Sequence, residues 1–190
     1  MDFKATPLYG GAITVDLPSN YSDASLIRQI PSHQEVYLHN TGYTSIVLEI
    51  LEYVDKPSDE EALQYHFADL VDGTGDATTM VAQAKGEMKN LPQTPILTLT
   101  FIQTPPSPAA GAPPARKTPE YTFIQLILVR LKEQATDIMI TINSPHYPGE
   151  YSPAASPSSE TQLMTQAKRI KEKVLDSFAI KDWGLFEGED

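Results

Sequence analysis

The chain has 190 residues, 41% of them hydrophobic, with no cysteine and a formal charge of −11. That length fits one domain with a sizeable core, the apolar fraction excludes global disorder, and the missing cysteine excludes disulfides, thiolate metal sites and thiol nucleophiles. The acidic balance argues against a nucleic-acid grip, which needs clustered Lys and Arg, and points to basic protein partners, with plain solubility as the bland alternative.

Met1-Asp2-Phe3-Lys4 lacks the charged-then-apolar order of a secretory signal. Gly10-Gly11 turns the chain into a short strand over 12–17, closed by Pro18, Ser19 and Asn20. Residues 23–30 have room for one helical turn, which Pro31 ends. A strand is expected over 34–39, followed by a turn at Asn40-Thr41-Gly42. The segment 45–54 starts with β-branched residues and is short for a helix, so it reads as a largely buried strand. In a regular strand Glu49 and Glu52 project from opposite faces; they share a surface only if Glu52 lies at a bulge or past the strand end.

Ser58 and Glu61 form a capping-box pattern, and Asp59-Glu60-Glu61 suits the positive end of a helix dipole. Leu63, Phe67, Leu70 and Val71 make the apolar stripe of that helix, and Gly73 ends it. Residues 72–90 are polar and weakly patterned, which predicts a loop. Three strands follow, over 96–103, 121–132 and 137–143, the last two joined as a hairpin by the short link 133–136. The strand at 121–132 is apolar on both faces through its middle and is expected at the centre of a sheet. Its apolar run, interrupted by Gln125 and Arg130, is too short for a bilayer span of roughly 20 residues. A final helix is predicted over 159–178, capped by Ser159 with Gln162 and packed through Leu163, Ala167, Ile170, Val174 and Phe178. Segments 104–119 and 144–158, rich in Pro with Ala or Ser, read as mobile surface loops within one domain. The sum is an α+β domain with a mostly antiparallel sheet.

Catalytic signatures are missing. There is no G-x-S-x-G elbow, and Gly10-Gly11 lacks the spacing and lysine of a phosphate-binding loop. The four histidines (His33, His39, His66, His146) are dispersed; His33 and His39 would lie roughly 20 Å apart on an extended strand, too far for one metal. No cofactor and no enzymatic activity are expected. His66 is expected to cap or bond locally, and Phe67 to pack on the core stripe. Lys168, Arg169, Lys171 and Lys173, with Glu172 between them, read as a solvated helix face rather than a localisation patch. Glu49 and Glu52 stand out because they interrupt an otherwise apolar element, where a charge is costly unless it faces water or a partner.

Four blocks carry a resemblance: Pro7-Leu8-Tyr9-Gly10-Gly11-Ala12-Ile13; Gln34-Glu35-Val36-Tyr37; Ser45-Ile46-Val47-Leu48-Glu49-Ile50-Leu51-Glu52; and Tyr65-His66-Phe67-Ala68-Asp69-Leu70. In this order they resemble the Ran guanine nucleotide release factor family, the Mog proteins. The resemblance is specific from Pro7 to about Asp69 and resumes weakly at 136–143 and the final helix. It implies a central antiparallel sheet sandwiched by helices, a Mog/PsbP-like fold. It also implies a monomer of the nucleus and cytoplasm that binds the GTPase Ran, promotes nucleotide release and supports nuclear import, with neither nucleic acid nor membrane as partner. By resemblance the Ran contacts fall on Glu49 and Glu52, with Arg28, Gln34, Glu35 and Asp69 around them. Ser32 stands where the family has an acidic residue after the proline. The alternatives are an acidic scaffold for several nuclear proteins without exchange activity, and a small-ligand domain with an apolar pocket between sheet and helix.

Overall fold

The most apolar stretch of the sequence lies deep inside a seven-stranded antiparallel sheet. The computed structural model describes residues 1–111 and 117–188, so the 112–116 part of the first Pro-rich loop lies outside the described residues. Strand β8 (Tyr121–Leu131) forms an unbroken hairpin ladder with β9 (Thr136–His146), from Tyr121↔His146 to Leu131↔Thr136. The link is a 3-10 turn, Lys132–Gln134, followed by Ala135 in the left-handed region. Alternation along β8 sends Phe123, Ile127, Val129 and Leu131 into one core and Ile124, Leu126 and Leu128 into the other. This two-sided burial is what the expected central strand required.

The other strands are β3 (Tyr21–Asp23), β4 (Gln34–His39), β5 (Ser45–Glu52), β6 (Ala77–Met88) and β7 (Leu91–Thr104). They give the sheet the order β3-β4-β5-β9-β8-β7-β6. Helix α1 (Asp59–Val71) covers one face, where Leu63 joins Leu97, Leu99, Phe101 and Met139. Ser58 caps it as the sequence predicts, its Oγ accepting the Glu61 N–H at 3.1 Å. The other face is covered by α2 (Gln162–Ser177) and by a small sheet ordered β1-β2-β10, from β1 (Phe3–Leu8), β2 (Ile13–Pro18) and β10 (Ala179–Ile180). Ile13, Val15, Leu17, Ile170, Val174 and Phe178 fill the core between the layers.

Several expectations need correction. Residues 72–90 are not a loop: they hold β6, a long edge strand paired with β7 from Ala77↔Thr104 to Met88↔Leu91. Eleven of its residues carry no buried side chain, so no apolar alternation marked it, and the backbone ladder holds it instead. Strand β1 was missed for the same reason: only Thr6 and Leu8 are buried. Tyr9–Gly11 is a 3-10 turn, and the last helix starts at Gln162 with Thr161 as cap, Oγ1 accepting the Met164 N–H at 3.2 Å. Ser159 is engaged in its own turn, where its Oγ accepts the Ser156 N–H at 2.8 Å. The segment 144–158 begins as strand: Ser144 and His146 are buried members of β9.

Candidate functional site

The acidic strand β5 runs in unbroken register against β9, from Ser45↔Asn143 to Glu52↔Thr136. With no bulge, the two glutamates obey strict alternation and leave opposite faces about 10 Å apart along the strand. Glu49 lies opposite Gln34 of β4, and the Gln34 Nε2 donates to Glu49 Oε1. Glu52 is the exposed last residue of β5, and with Leu51 and Tyr53 it lines an open groove of about 390 Å³ shared with Tyr65, His66 and Asp69 of α1. Lys56 overhangs this groove, its Nζ 4.8 Å from the Tyr65 ring centroid.

Of the six residues expected to contact the partner, the structure therefore bonds one pair, Gln34 with Glu49, and sets Glu52 and Asp69 on the lining of one groove. Glu35 alternates to the far face of β4, where its Oε1 accepts the Tyr9 N–H at 2.6 Å. Partial burial raises the Glu35 pKa, the Tyr9 hydrogen bond opposes that, and the Asp23 charge adds to it. Arg28 is exposed in the loop after the 3-10 turn Ala24–Leu26 and makes no ion pair among the described residues. Beside it Leu26 and Ile27 are 80% and 77% exposed, an apolar pair that no periodicity would single out.

Tyr9 was missed as a site element. Its backbone is left-handed, φ 49°, a conformation that costs a non-glycine residue about 1–2 kcal/mol. Gly10 and Gly11 continue the turn at φ 67° and 92°, where glycine is free of that cost. The turn delivers the Tyr9 N–H to Glu35 and places its hydroxyl 3.0 Å and 3.1 Å from the carbonyl oxygens of His33 and Leu48. Burial, then the charges of Glu35 and Glu49, push the Tyr9 pKa up, so it stays a neutral donor bridging β1 to the β4–β5 pair. The Tyr-Gly-Gly run was the available signal.

Beneath the groove lies a buried charge network. Asp137 is fully buried: its Oδ2 lies 2.8 Å from His66 Nε2 and accepts the Val54 N–H at 3.0 Å. Arg130, also buried, sets its Nε 3.1 Å from Asp137 Oδ1 and 3.6 Å from Asp59 Oδ1, and its guanidinium stacks 4.1 Å from the Tyr53 ring centroid. His66 thus bonds across 71 residues rather than locally, which corrects the expectation for it. The network fixes the end of β5, the 53–55 segment and the α1 start against β8 and β9. A cavity of about 600 Å³ opens nearby and is lined by Asp55, Lys56, Asp59, Arg130, Lys132 and Trp183 among others. It is open and largely polar, unlike the mostly apolar pockets that typically hold small ligands.

The family described as Ran-interacting Mog1 protein matches residues 6–145, a span that holds all six expected contact residues and the buried network. The chain belongs to the Mog1 family. A Mog1 relative from Danio rerio, named Ran guanine nucleotide release factor, is 31% identical over 95% of this chain and 98% of its own. The probable Ran guanine nucleotide release factor of Dictyostelium discoideum is 29% identical over 97% and 96%. The crystal structure of the Saccharomyces cerevisiae Ran-binding protein Mog1p superimposes with TM-score 0.77 at 27% identity, covering 98% of this chain and 99% of that one. The Mog1 fold, a mostly antiparallel sheet between helices, is thus the fold of this chain.

Proposed function

We propose that this protein binds Ran, promotes release of its guanine nucleotide and supports nuclear protein import. The observation that carries this reading is the near end-to-end likeness to relatives named for Ran nucleotide release and nuclear import. It acts by binding, as an exchange-type regulator, and works in the nucleus and cytoplasm as a monomer.

The contact surface in this proposal wraps the C-terminal end of β5: Glu49, set by Gln34, leaves one face, and Glu52 leaves the other at the last residue of the strand, where it lines the adjoining groove with Asp69. Glu35 supports it from the far face through Tyr9, and Arg28 flanks it. Nucleotide phosphates on a GTPase are held by a lysine, backbone amides and Mg²⁺. An acidic surface docking close by competes for that lysine and disfavours phosphate and metal. Release follows to the extent that nucleotide-free Ran binds better than loaded Ran, because differential affinity sets the shift.

The test is loss of a fluorescent guanine nucleotide from purified Ran as the protein is titrated in. Native protein should accelerate loss, and the double reversal Glu49→Lys with Glu52→Lys should abolish it while leaving the urea midpoint in place. An unfolded double variant would make these residues structural and sink the site assignment. Salt-sensitive binding to many basic proteins without preference for Ran would instead favour the acidic scaffold.

A further inference from the structure

At the end of the sheet away from Glu52, two turns converge on one lysine. Tyr147-Pro148-Gly149-Glu150 has proline second, glycine third at φ 83°, and the Glu150 N–H on the Tyr147 carbonyl at 3.1 Å. Those are the marks of a type II turn, which places the first and fourth side chains side by side. From the β4–β5 connection, Tyr43 packs on Tyr147 with ring centroids 4.4 Å apart and planes at 48°. Tyr151 buttresses Tyr43 edge-on, its hydroxyl accepting the Tyr43 N–H at 3.1 Å. Gly42 lies against that same hydroxyl, and a side chain there would meet it at 3.1 Å and the His39 ring at 2.9 Å.

The Lys117 Nζ sits to one side of the packed ring pair, 5.2 Å from each centroid, ion-paired to Glu150 and donating to the Tyr43 hydroxyl at 3.3 Å. Two aromatic faces, a carboxylate and a hydroxyl are the groups that recognise an alkylammonium. The Glu150 hydrogen bond raises the Lys117 pKa, which keeps the occupant charged. The ammonium is therefore a ligand held by side chains from two separate turns, while its own residue lies in the β7–β8 connection.

We infer that Tyr43, Tyr147 and Glu150 form an alkylammonium-binding cage, filled in cis by Lys117 and open to a lysine or methyl-lysine side chain when Lys117 is removed. This site is independent of the Ran reading and stands at the other end of β5. In cis occupancy it pins the C-terminal end of the connection between β7 and β8.

The experiment uses the full chain, natively and as Lys117→Ala, with trimethyl-lysine as probe and acetyl-lysine as its uncharged control. The aromatic NMR signals of Tyr43 and Tyr147 report the binding. Lys117→Ala should bind trimethyl-lysine saturably, on the order of tenfold tighter than native protein, where the resident lysine competes. Adding Tyr147→Ala should erase that binding, with amide shifts elsewhere showing the fold intact. Equal affinities in native and Lys117→Ala protein would overturn the cis occupancy. Equal binding of acetyl-lysine, or no response in Lys117→Ala, would overturn the cage.

Discussion

Arg130 at one end of the sheet and Lys117 at the other are both held against tyrosine rings and carboxylates, and they differ in burial. Arg130 stacks on Tyr53 and faces Asp137 with almost no access to water, whereas the Lys117 side chain is 49% exposed beside Tyr43 and Glu150. Similar groups therefore do different work. In the interior neither charge of the pair can be lost without stranding the other, so the network is a structural joint. At the surface water substitutes for either partner, so the contact is exchangeable and suits recognition.

The largest test of that contrast is Asp137→Ala, which leaves Arg130 buried without its main counter-charge. We expect a loss of about 3–5 kcal/mol in urea unfolding, and a loss under 1 kcal/mol would put the joint in the exchangeable class. Glu35→Gln probes the middle ground, since it keeps an acceptor for the Tyr9 N–H and removes a partly buried charge. Because the folded-state pKa of Glu35 is raised, the native protein is favoured at low pH and loses stability as pH climbs from the ordinary carboxylate value through the raised one. The glutamine variant should lack that decline, so its stability relative to native should improve as pH rises across this window, followed by urea midpoints at several pH values. Smallest of all, Lys117→Ala should leave the urea midpoint in place while altering ligand binding at the cage.

What could be read in the sequence follows the same division between pattern and partnership. Strand β4 was legible to the residue because Pro31 and Asn40-Thr41-Gly42 punctuate it, and β8 because a run apolar on both faces through its middle has one home in a sheet. The cap at Ser58 was legible because it is a local hydrogen bond. Strand β6 was not, since an exposed edge needs no periodicity when its ladder alone holds it. Arg130 and Gln125 registered only as interruptions of an apolar run, for nothing in one dimension shows that Asp137 and Thr100 stand waiting for them. Alternation predicted opposed faces for Glu49 and Glu52, and the regular ladder to Thr136 gives that geometry. That Glu52 and Asp69 line one groove required the placement of α1, which no spacing reveals.

The small sheet has a consequence in time. Strand β2 pairs with β1 beside it in sequence and with β10 from the far end, and the Asp16 N–H donates to Ser177 Oγ across 161 residues. On the ribosome, the apolar strip of Leu8, Ile13, Val15 and Leu17 emerges long before α2 and Phe178, which cover it. A nascent chain of this protein thus carries an uncovered hydrophobic strand until α2 has been made, and the docking of α2 is the step that covers it.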